Sequence, residues 1–402
     1  MASFTPGSAQ EVLNIVRWAA GEESPLEVLG HGSKRGIGRP AQAEHTLDLS
    51  HLTGVTLYEP EELVLSAKAG TPLAELRDLL ARNNQQFAFE PMDYGPLLGG
   101  PSGRGTVGGA LATNLSGPRR IKAGAARDHV LGVHAVSGRG EAFKSGGRVV
   151  KNVTGYDLSK ALAGSWGTLA VVTDVTFKVL PAPETEKTVA IMGLDDAQAA
   201  SAMAEAMGSS AEVSGAAHLP VTVVGRFLGG TFSSQPRTVL RVEGVGPSVD
   251  YRIDLVARLM RPHGQAEVQE PLQSRALWRE IRDCKPFADN TPAPVWRVSI
   301  APTEGHRLVD AFRRAAGANA YYDWQGGLVW LRMEADPEAE ILRKLIAHFG
   351  GGHATLIRAA PALRSAVPVF HPQPPALAAL ASRLKEQFDP QNILNPGRMA
   401  AN

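Results

Sequence analysis

One cysteine, Cys284, is all the sequence holds among 402 residues. A lone thiol closes no internal disulfide, and an iron–sulfur cluster takes about four thiolates. If the chain handles electrons, it uses another cofactor or passes them to a partner, and Cys284 itself reads as a small buried residue. Charge of one sign is missing as well. Lysine and arginine number 41 against 40 aspartates and glutamates, a formal net charge of +1. Neither a nucleic-acid-binding stripe nor a polybasic membrane patch is therefore expected. No uninterrupted apolar run approaches the ~20 residues that span a bilayer. Residues 1–10 lack the basic stretch and apolar core of a secretory signal, so the cytoplasm is the expected location. What is present is an ordinary globular mix, 44% hydrophobic and 20% charged, over a length that suggests two or three domains.

Periodicity orders the first part of the chain. Val12, Ile15, Val16 and Ala19 fall at helical spacing within residues 10–20. Residues 26–29 read as a strand running into the glycine-rich stretch 30–38, and another strand follows near 46–49. Residues 55–58 and 63–67 read as a strand pair about the turn 59–62. Thr71 is expected to cap a helix that opens with Pro72 and buries Leu73, Leu76, Leu79 and Leu80. Residues 129–136 and 167–180 are strand-like, with Val175, Phe177 and Val179 alternating with polar neighbours. Pro181-Ala182-Pro183 breaks the chain, and a domain boundary is placed there. Beyond it the order of elements repeats. Strand 188–192, helix 195–206, strands 211–218 and 237–242 and helix 249–259 come first. Strand 295–300, helix 303–315, the hairpin 319–324 and 328–333 across Gly326-Gly327, helix 338–349 and strand 353–357 follow. Two β-α-β-β-α-β units of ferredoxin-like order account for the repetition. A last helix over 375–388 stops at Asp389-Pro390.

Three segments are candidates for chemistry. Gly30-His31-Gly32-Ser33-Lys34-Arg35-Gly36-Ile37-Gly38 has a backbone that can approach a ligand closely and present successive N–H groups to an anion. Ser33, Lys34 and Arg35 add a hydroxyl and positive charge, and together these suit a pyrophosphate. The segment is neither a Walker loop nor a Gly-x-Gly-x-x-Gly fingerprint, because Arg35 stands where the third glycine is required. A plain glycine-rich surface turn is the alternative. Thr106-Val107-Gly108-Gly109-Ala110-Leu111-Ala112-Thr113-Asn114 consists mostly of small residues. It suits a ligand lying flat against backbone, with Thr113 and Asn114 bonding a polar ring edge; a tight helix start packed on a sheet is the alternative. The third segment joins Lys151-Asn152-Val153-Thr154-Gly155-Tyr156-Asp157-Leu158 to Gly164-Ser165-Trp166-Gly167-Thr168. Its glycines bracket a turn before a strand, where backbone can pair with a planar heterocycle. Tyr156 and Asp157 are either catalytic or structural hydrogen-bonding groups, and no catalytic residue is assigned.

In their order and spacing these segments resemble the FAD-binding domain of the vanillyl-alcohol oxidase and p-cresol methylhydroxylase (PCMH) superfamily. Phe388-Asp389-Pro390 with Asn392-Ile393-Leu394-Asn395-Pro396-Gly397 resembles the closing signature of FAD-linked oxidases. Within the superfamily the chain is most similar to the FAD-binding E subunits of glycolate oxidase (glycolate dehydrogenase). The residues that carry this are Gly117-Pro118-Arg119-Arg120, Arg127-Asp128-His129-Val130-Leu131-Gly132 and 151–157. Trp296-Arg297-Val298-Ser299, Asp323-Trp324-Gln325-Gly326-Gly327 and Gly351-Gly352-His353-Ala354-Thr355 carry it in the second half. The longer stretch 97–104 before Thr106 is a departure.

The resemblance implies an α+β fold. A two-lobed PCMH-type FAD-binding domain would occupy 1–181 and a ferredoxin-like α+β cap 184–370. A C-terminal helix and tail, 371–402, would return to the FAD domain. It implies non-covalent FAD, with Gly32, Ser33, Lys34, Arg35 and Gly36 at the pyrophosphate. Pro91, Thr106, Gly108, Gly109, Thr113 and Asn114 would line the cofactor, as would Gly164, Gly167, Thr168 and Val172. His31 is the one histidine placed for covalent attachment. Relatives that oxidise D-2-hydroxy acids unaided carry clustered histidines and a glutamate on a divalent metal. Here His218, His263, His306, His348, His353 and His371 include no His-x-His pair. No metal site is expected, and His353 reads as a turn residue. The resemblance then implies a subunit of a larger assembly. A larger FAD-containing catalytic subunit would oxidise the small 2-hydroxy acid, and an iron–sulfur subunit would carry electrons onward. This chain would bear flavin or support assembly, in the cytoplasm or peripherally at the inner membrane through its partners. The alternatives are a self-sufficient FAD-dependent oxidase of another hydroxy acid or alcohol, and a non-catalytic scaffold.

Overall fold

The alternation of Val175 and Phe177 settles into the Ala170–Lys178 strand, the centre of a five-stranded sheet in the computed structural model, which describes residues 2–147, 155–232 and 235–400. Residues 151–154 of the third motif lie outside the described residues. Val64–Lys68 and Val130–Ser137 flank the central strand antiparallel, and Val55–Glu59 and Ala142–Gly146 form the edges. Val171, Val175 and Phe177 share one apolar core with Val12 and Val16 of the Ala9–Gly21 helix. Ser8 starts that helix by accepting the Glu11 N–H at 3.2 Å. A small parallel sheet of Ser3–Phe4, His45–Asp48 and Leu26–Leu29 supplies the strand that enters the glycine-rich loop.

Beyond Pro181 an eight-stranded antiparallel sheet dominates. Its order is Ala266–Gln269, Thr185–Met192, Arg237–Gly244, Gly215–Leu219, Ala318–Asp323, Leu328–Met333, Val295–Ile300, Gly352–Arg358. Numbered along the chain within each run of four, both halves have the order 4-1-3-2 of a β-α-β-β-α-β unit. Their second strands meet where His218 pairs with Tyr322. Helices Asp196–Gly208 and Gly246–Met260 bury Ala199, Met203, Val249 and Ile253 on the first half. Helices Gly305–Ala315 and Ala339–His348 bury Leu308, Phe312, Leu342 and Ile346 on the second.

A buried ionic cluster joins this sheet to the amino-terminal half. Arg241, 1% exposed, donates from Nη1 and Nη2 to the two oxygens of Glu90, each at 3.0 Å. Glu90 also accepts the Arg119 N–H at 2.8 Å, and the Arg119 guanidinium pairs with Glu243. Trp324 adds a neutral tie, its Nε1 donating to Gly117 O at 2.9 Å.

The structure differs from the sequence reading in several places, and His353 is one of them, since it lies in the Gly352–Arg358 strand and not in a turn. Thr71 is not a cap. Pro72 occupies the N-cap, and Thr71 Oγ1 donates to Lys68 O at 2.7 Å, closing the preceding turn. The strand Ala266–Gln269 and the helix Pro271–Arg282 were not anticipated, because charged residues crowd the narrow stripe of Leu277, Trp278 and Ile281. The Pro375–Phe388 helix has the expected bounds but buries none of its residues. Its C-terminal end touches the first half of the chain, Lys385 Nζ donating to Thr168 O at 2.7 Å and Phe388 meeting Phe143, and the tail continues along it. Among the described residues, no helix is long and apolar enough to cross a membrane.

Candidate cofactor crevice

Leu29 ends its strand against the start of a second short element, the helix Val107–Ala112. Thr106 caps that helix by accepting the Gly109 N–H at 3.2 Å. The two glycines behind it have different duties. A Cβ on Gly108 would come within 2.7 Å of the Ala69 side chain, so Gly108 allows the helix to pack on its neighbour. A Cβ on Gly109 would lie 3.1 Å from Lys34 Nζ, so Gly109 forms the bare floor of a crevice.

Lys34 turns its ammonium inward over that floor. The hydrogen bond it makes is to Ser33 Oγ at 3.4 Å, and among the described residues no carboxylate forms an ion pair with it. Burial lowers its pKa to about 8, with Asp93 opposing and Arg398 assisting. A desolvated cation without a counter-ion is a seat for an anion. Arg35 offers no such seat, since its guanidinium is spent on Glu27, with Nε donating to Oε1 at 3.0 Å. The second cation at the crevice is Arg398, which sequence reasoning missed and whose Nη1 pairs with Glu27 Oε1 at 3.8 Å. Its Nη2 donates to Lys34 O at 2.9 Å, and its guanidinium lies 5.8 Å from the Trp166 ring centroid. Burial lowers its pKa to about 10, against Glu27.

The third wall is the turn through Ser165, Trp166 and Gly167. Gly167 has φ +70°, and a Cβ there would meet Asn395 Nδ2 at 2.8 Å. Asn395 clamps the turn to the strand. Its Oδ1 accepts the Val28 N–H at 2.8 Å, and its Nδ2 donates to Trp166 O at 2.9 Å. Fully buried Asp389 accepts the N–H groups of Ile393 at 3.0 Å and Leu394 at 2.8 Å and pairs with Lys385. The polar residues of the closing segment thus hold the tail that delivers Arg398. Asn395→Ala should leave the half-buried Val28 amide without its partner and cost about 1–2 kcal/mol. Urea unfolding checks this, with a lower midpoint at unchanged slope as the expected result.

Of the residues singled out in the sequence, Gly32, Ser33, Lys34, Arg35, Thr106 and Gly108 line the crevice, and so do Gly109, Thr113, Gly167 and Val172. Asn114 and Gly164 face a second cavity, which shares Thr113 and Trp166 with the first. Gly36, Pro91 and Thr168 border neither. Gly36 lies near Leu98, and Pro91 is buried next to Glu90 of the ionic cluster. Thr168 closes its own turn, Oγ1 donating to Ser165 O at 2.7 Å. Asp157 is a helix cap that accepts the Lys160 N–H at 3.3 Å, and Tyr156 is 91% exposed. The stretch 97–104 is tied down by Asp93, which accepts from Ser102 Oγ and Gly103 N, both at 2.7 Å. Among the described residues no three His, Cys, Asp or Glu side chains are grouped to hold a metal ion.

Residues 2–146 match the FAD binding domain family. By shape, p-cresol methylhydroxylase with substrate bound aligns with 100% of this chain and 88% of its own, at a TM-score of 0.73 and 15% identity. An alkyldihydroxyacetonephosphate synthase aligns with 98% of this chain and 76% of its own, at a TM-score of 0.69 and 18% identity. At such identities these two likenesses concern the fold alone. Domain and fold together define a chain with an FAD binding domain in the fold that p-cresol methylhydroxylase also has. "Glycolate oxidase subunit GlcE" of Escherichia coli (strain K12) is 32% identical over 393 residues, 98% of this chain and 97% of that protein. The chain belongs to that family of glycolate oxidase subunits. Its likeness to "Glycolate oxidase subunit GlcD" of Bacillus subtilis (strain 168), 29% identical, is confined to 47% of this chain and 38% of that protein.

Proposed function

We propose that this chain carries FAD, non-covalently, as one subunit of a complex that oxidises glycolate. A larger FAD-containing subunit oxidises the acid in that complex, and an iron–sulfur subunit takes the electrons onward. The assembly sits in the cytoplasm or peripherally at the inner membrane through those partners. The chain divides into 1–181 for the cofactor, 184–370 as cap and 371–402 as returning tail. The observation that carries the reading is the inward ammonium of Lys34 above the bare Gly109 floor, with no carboxylate paired to it among the described residues. These groups fit a diphosphate. Lys34 and Arg398 supply charge to it, Gly109 allows backbone approach, and Gly167 and Val172 face the remainder of the ligand. The enclosed space is about 100 Å³, less than a dinucleotide occupies. The ligand would therefore extend beyond this space, with its diphosphate beside Lys34. Bound FAD supplies transfer of one or two electrons; the chain's own residues bind and orient it.

Expression alone and together with the partner subunits tests this. Alone, the chain should be yellow, absorbing near ~450 nm as oxidised flavins do, and should not reduce dye with glycolate. Dye reduction should come with the partners. Turnover by the isolated chain would favour a self-sufficient oxidase, and a colourless chain would favour a scaffold. One observation favours a second mode of attachment, through His31, whose buried Nε2 has no hydrogen-bond partner. Acid precipitation separates the two, because non-covalent flavin stays in the supernatant.

A further inference from the structure

The chain leaves the eight-stranded sheet through Gly352–Arg358 and crosses back to the first half over residues 359–371. One short helix, Pro361–Ala366, lies on this strap, and the single residue it buries is an arginine. Arg364 is 8% exposed. Its Nη1 donates to Gly38 O, the last residue of the glycine-rich loop, at 2.8 Å. Its Nε is buried without a partner, and among the described residues no carboxylate forms an ion pair with it. A second contact of the strap reaches another wall of the crevice. Phe370 meets Trp166 edge to face, with ring centroids 5.2 Å apart, and Trp166 lines the crevice.

Arg364 and Arg398 grip the two ends of one stretch of loop. Arg364 holds the carbonyl of Gly38, and Arg398 holds that of Lys34. The two arginines are neighbours. A Cβ on Gly38 would lie 3.1 Å from Arg398 O. Burial comes first in lowering the pKa of Arg398, Glu27 opposes, and Arg364 adds to the fall. Lys34, Arg35, Arg364 and Arg398 thus gather about the loop. Among the described residues, Glu27 is the carboxylate ion-paired with this group, and it is shared by Arg35 and Arg398. Docking alone does not call for an arginine at position 364. A buried cation without a counter-ion costs several kcal/mol, and an apolar residue of similar length would seat so short a helix as well. What the charge adds is attraction for an anion in the crevice.

We propose that Arg364 is a positioning residue for the cofactor diphosphate, holding the Gly38 end of the loop and tying the loading of the crevice to the seating of the strap. The inference rests on the cofactor reading and adds to it a residue from beyond the FAD-binding half of the chain. Coupling of this kind is reciprocal. A diphosphate that steadies the strap is itself held tighter by the same factor.

The test uses the full chain, loaded with FAD and after its removal. Hydrogen exchange is followed at the amides of Arg364 and Val367, which donate to Ala360 O at 3.1 Å and to Leu363 O at 3.0 Å. FAD should slow exchange there about tenfold or more. Arg364→Met should raise the FAD dissociation constant about tenfold or more, while the melting temperature of the FAD-free chain stays the same or rises. Arg364→Lys should recover part of the affinity. Exchange unaffected by FAD overturns the proposal, as does undiminished FAD affinity in Arg364→Met. A lysine variant no better than methionine overturns the role of the charge. An FAD-free melting temperature that falls in step with the affinity marks a merely structural role and overturns it too. Should Arg364→Met not fold, the exchange comparison on the unaltered chain decides. FAD held equally by all three chains counts against Arg364 alone, whereas an unaltered chain that binds no FAD overturns the cofactor reading and this inference with it.

Discussion

Gly109→Val should yield a folded protein that keeps no more than about a tenth of its flavin, because the proposed seat of the cofactor is bare backbone. At this position a Cβ already lies 3.0 Å from Thr106 Oγ1 and 3.1 Å from Lys34 Nζ. The branched methyls of valine would fill the floor and push the ammonium off it. Gly109→Ala is the informative companion. Position 109 is within the Val107–Ala112 helix, where alanine is favoured over glycine by about 1 kcal/mol. Alanine should therefore raise or preserve thermal stability while lowering flavin affinity, which separates loss of the ligand from loss of the fold. The measurement is the ratio of visible to ultraviolet absorbance after gel filtration, beside a melting curve. Full flavin content in the valine variant would remove Gly109 from the crevice floor.

The second large effect is expected at Glu90. Glu90→Gln leaves Arg241 with a neutral amide and with Glu243 at 3.3 Å as its remaining carboxylate, and weakens the anchor of Arg119, at about 2–3 kcal/mol. Burial works against the charge of Glu90, but Arg241 and Arg119 outweigh it and hold the carboxyl below the usual range. Burial likewise opposes ionisation of Glu243, yet Arg241 and Arg119 bring its pKa down from 4.5 to about 2. Carboxylates lowered in the folded state stabilise above their unfolded pKa, and that stability is lost as pH falls through the folded value. The unaltered protein should therefore lose stability steadily from pH 4.5 towards 2, the interval between those values. Glu90→Gln should start lower and fall less steeply. Denaturant midpoints across this range check both points, and parallel curves for the two proteins would contradict the assignment.

Legibility in the sequence followed the range of the interaction. The Ala9–Gly21 and Pro375–Phe388 helices were readable because stripes and stop signals are local. The helix Pro271–Arg282 escaped because its apolar contacts are few and set among charges. Pro91 and Thr168 were expected at the crevice because their segments run beside it, yet neither borders it. Burial beside Glu90 and a bond to Ser165 O decide otherwise, and no spacing rule reports on either.

The sequence alone determined the glycine-rich loop with its anion-seeking charges, the repeated element order of the second half and the closing segment. All three depend on residues a few positions apart, where backbone freedom, periodicity and capping act. Tertiary structure alone decided that Lys34 and not Arg35 is the unpaired cation, that Arg398 lies beside it, and that Arg297 and His353 line a second cavity. Those outcomes depend on which charges find partners, and the partners lie across contacts that join distant parts of the chain, such as Arg398 to Lys34 and Trp324 to Gly117.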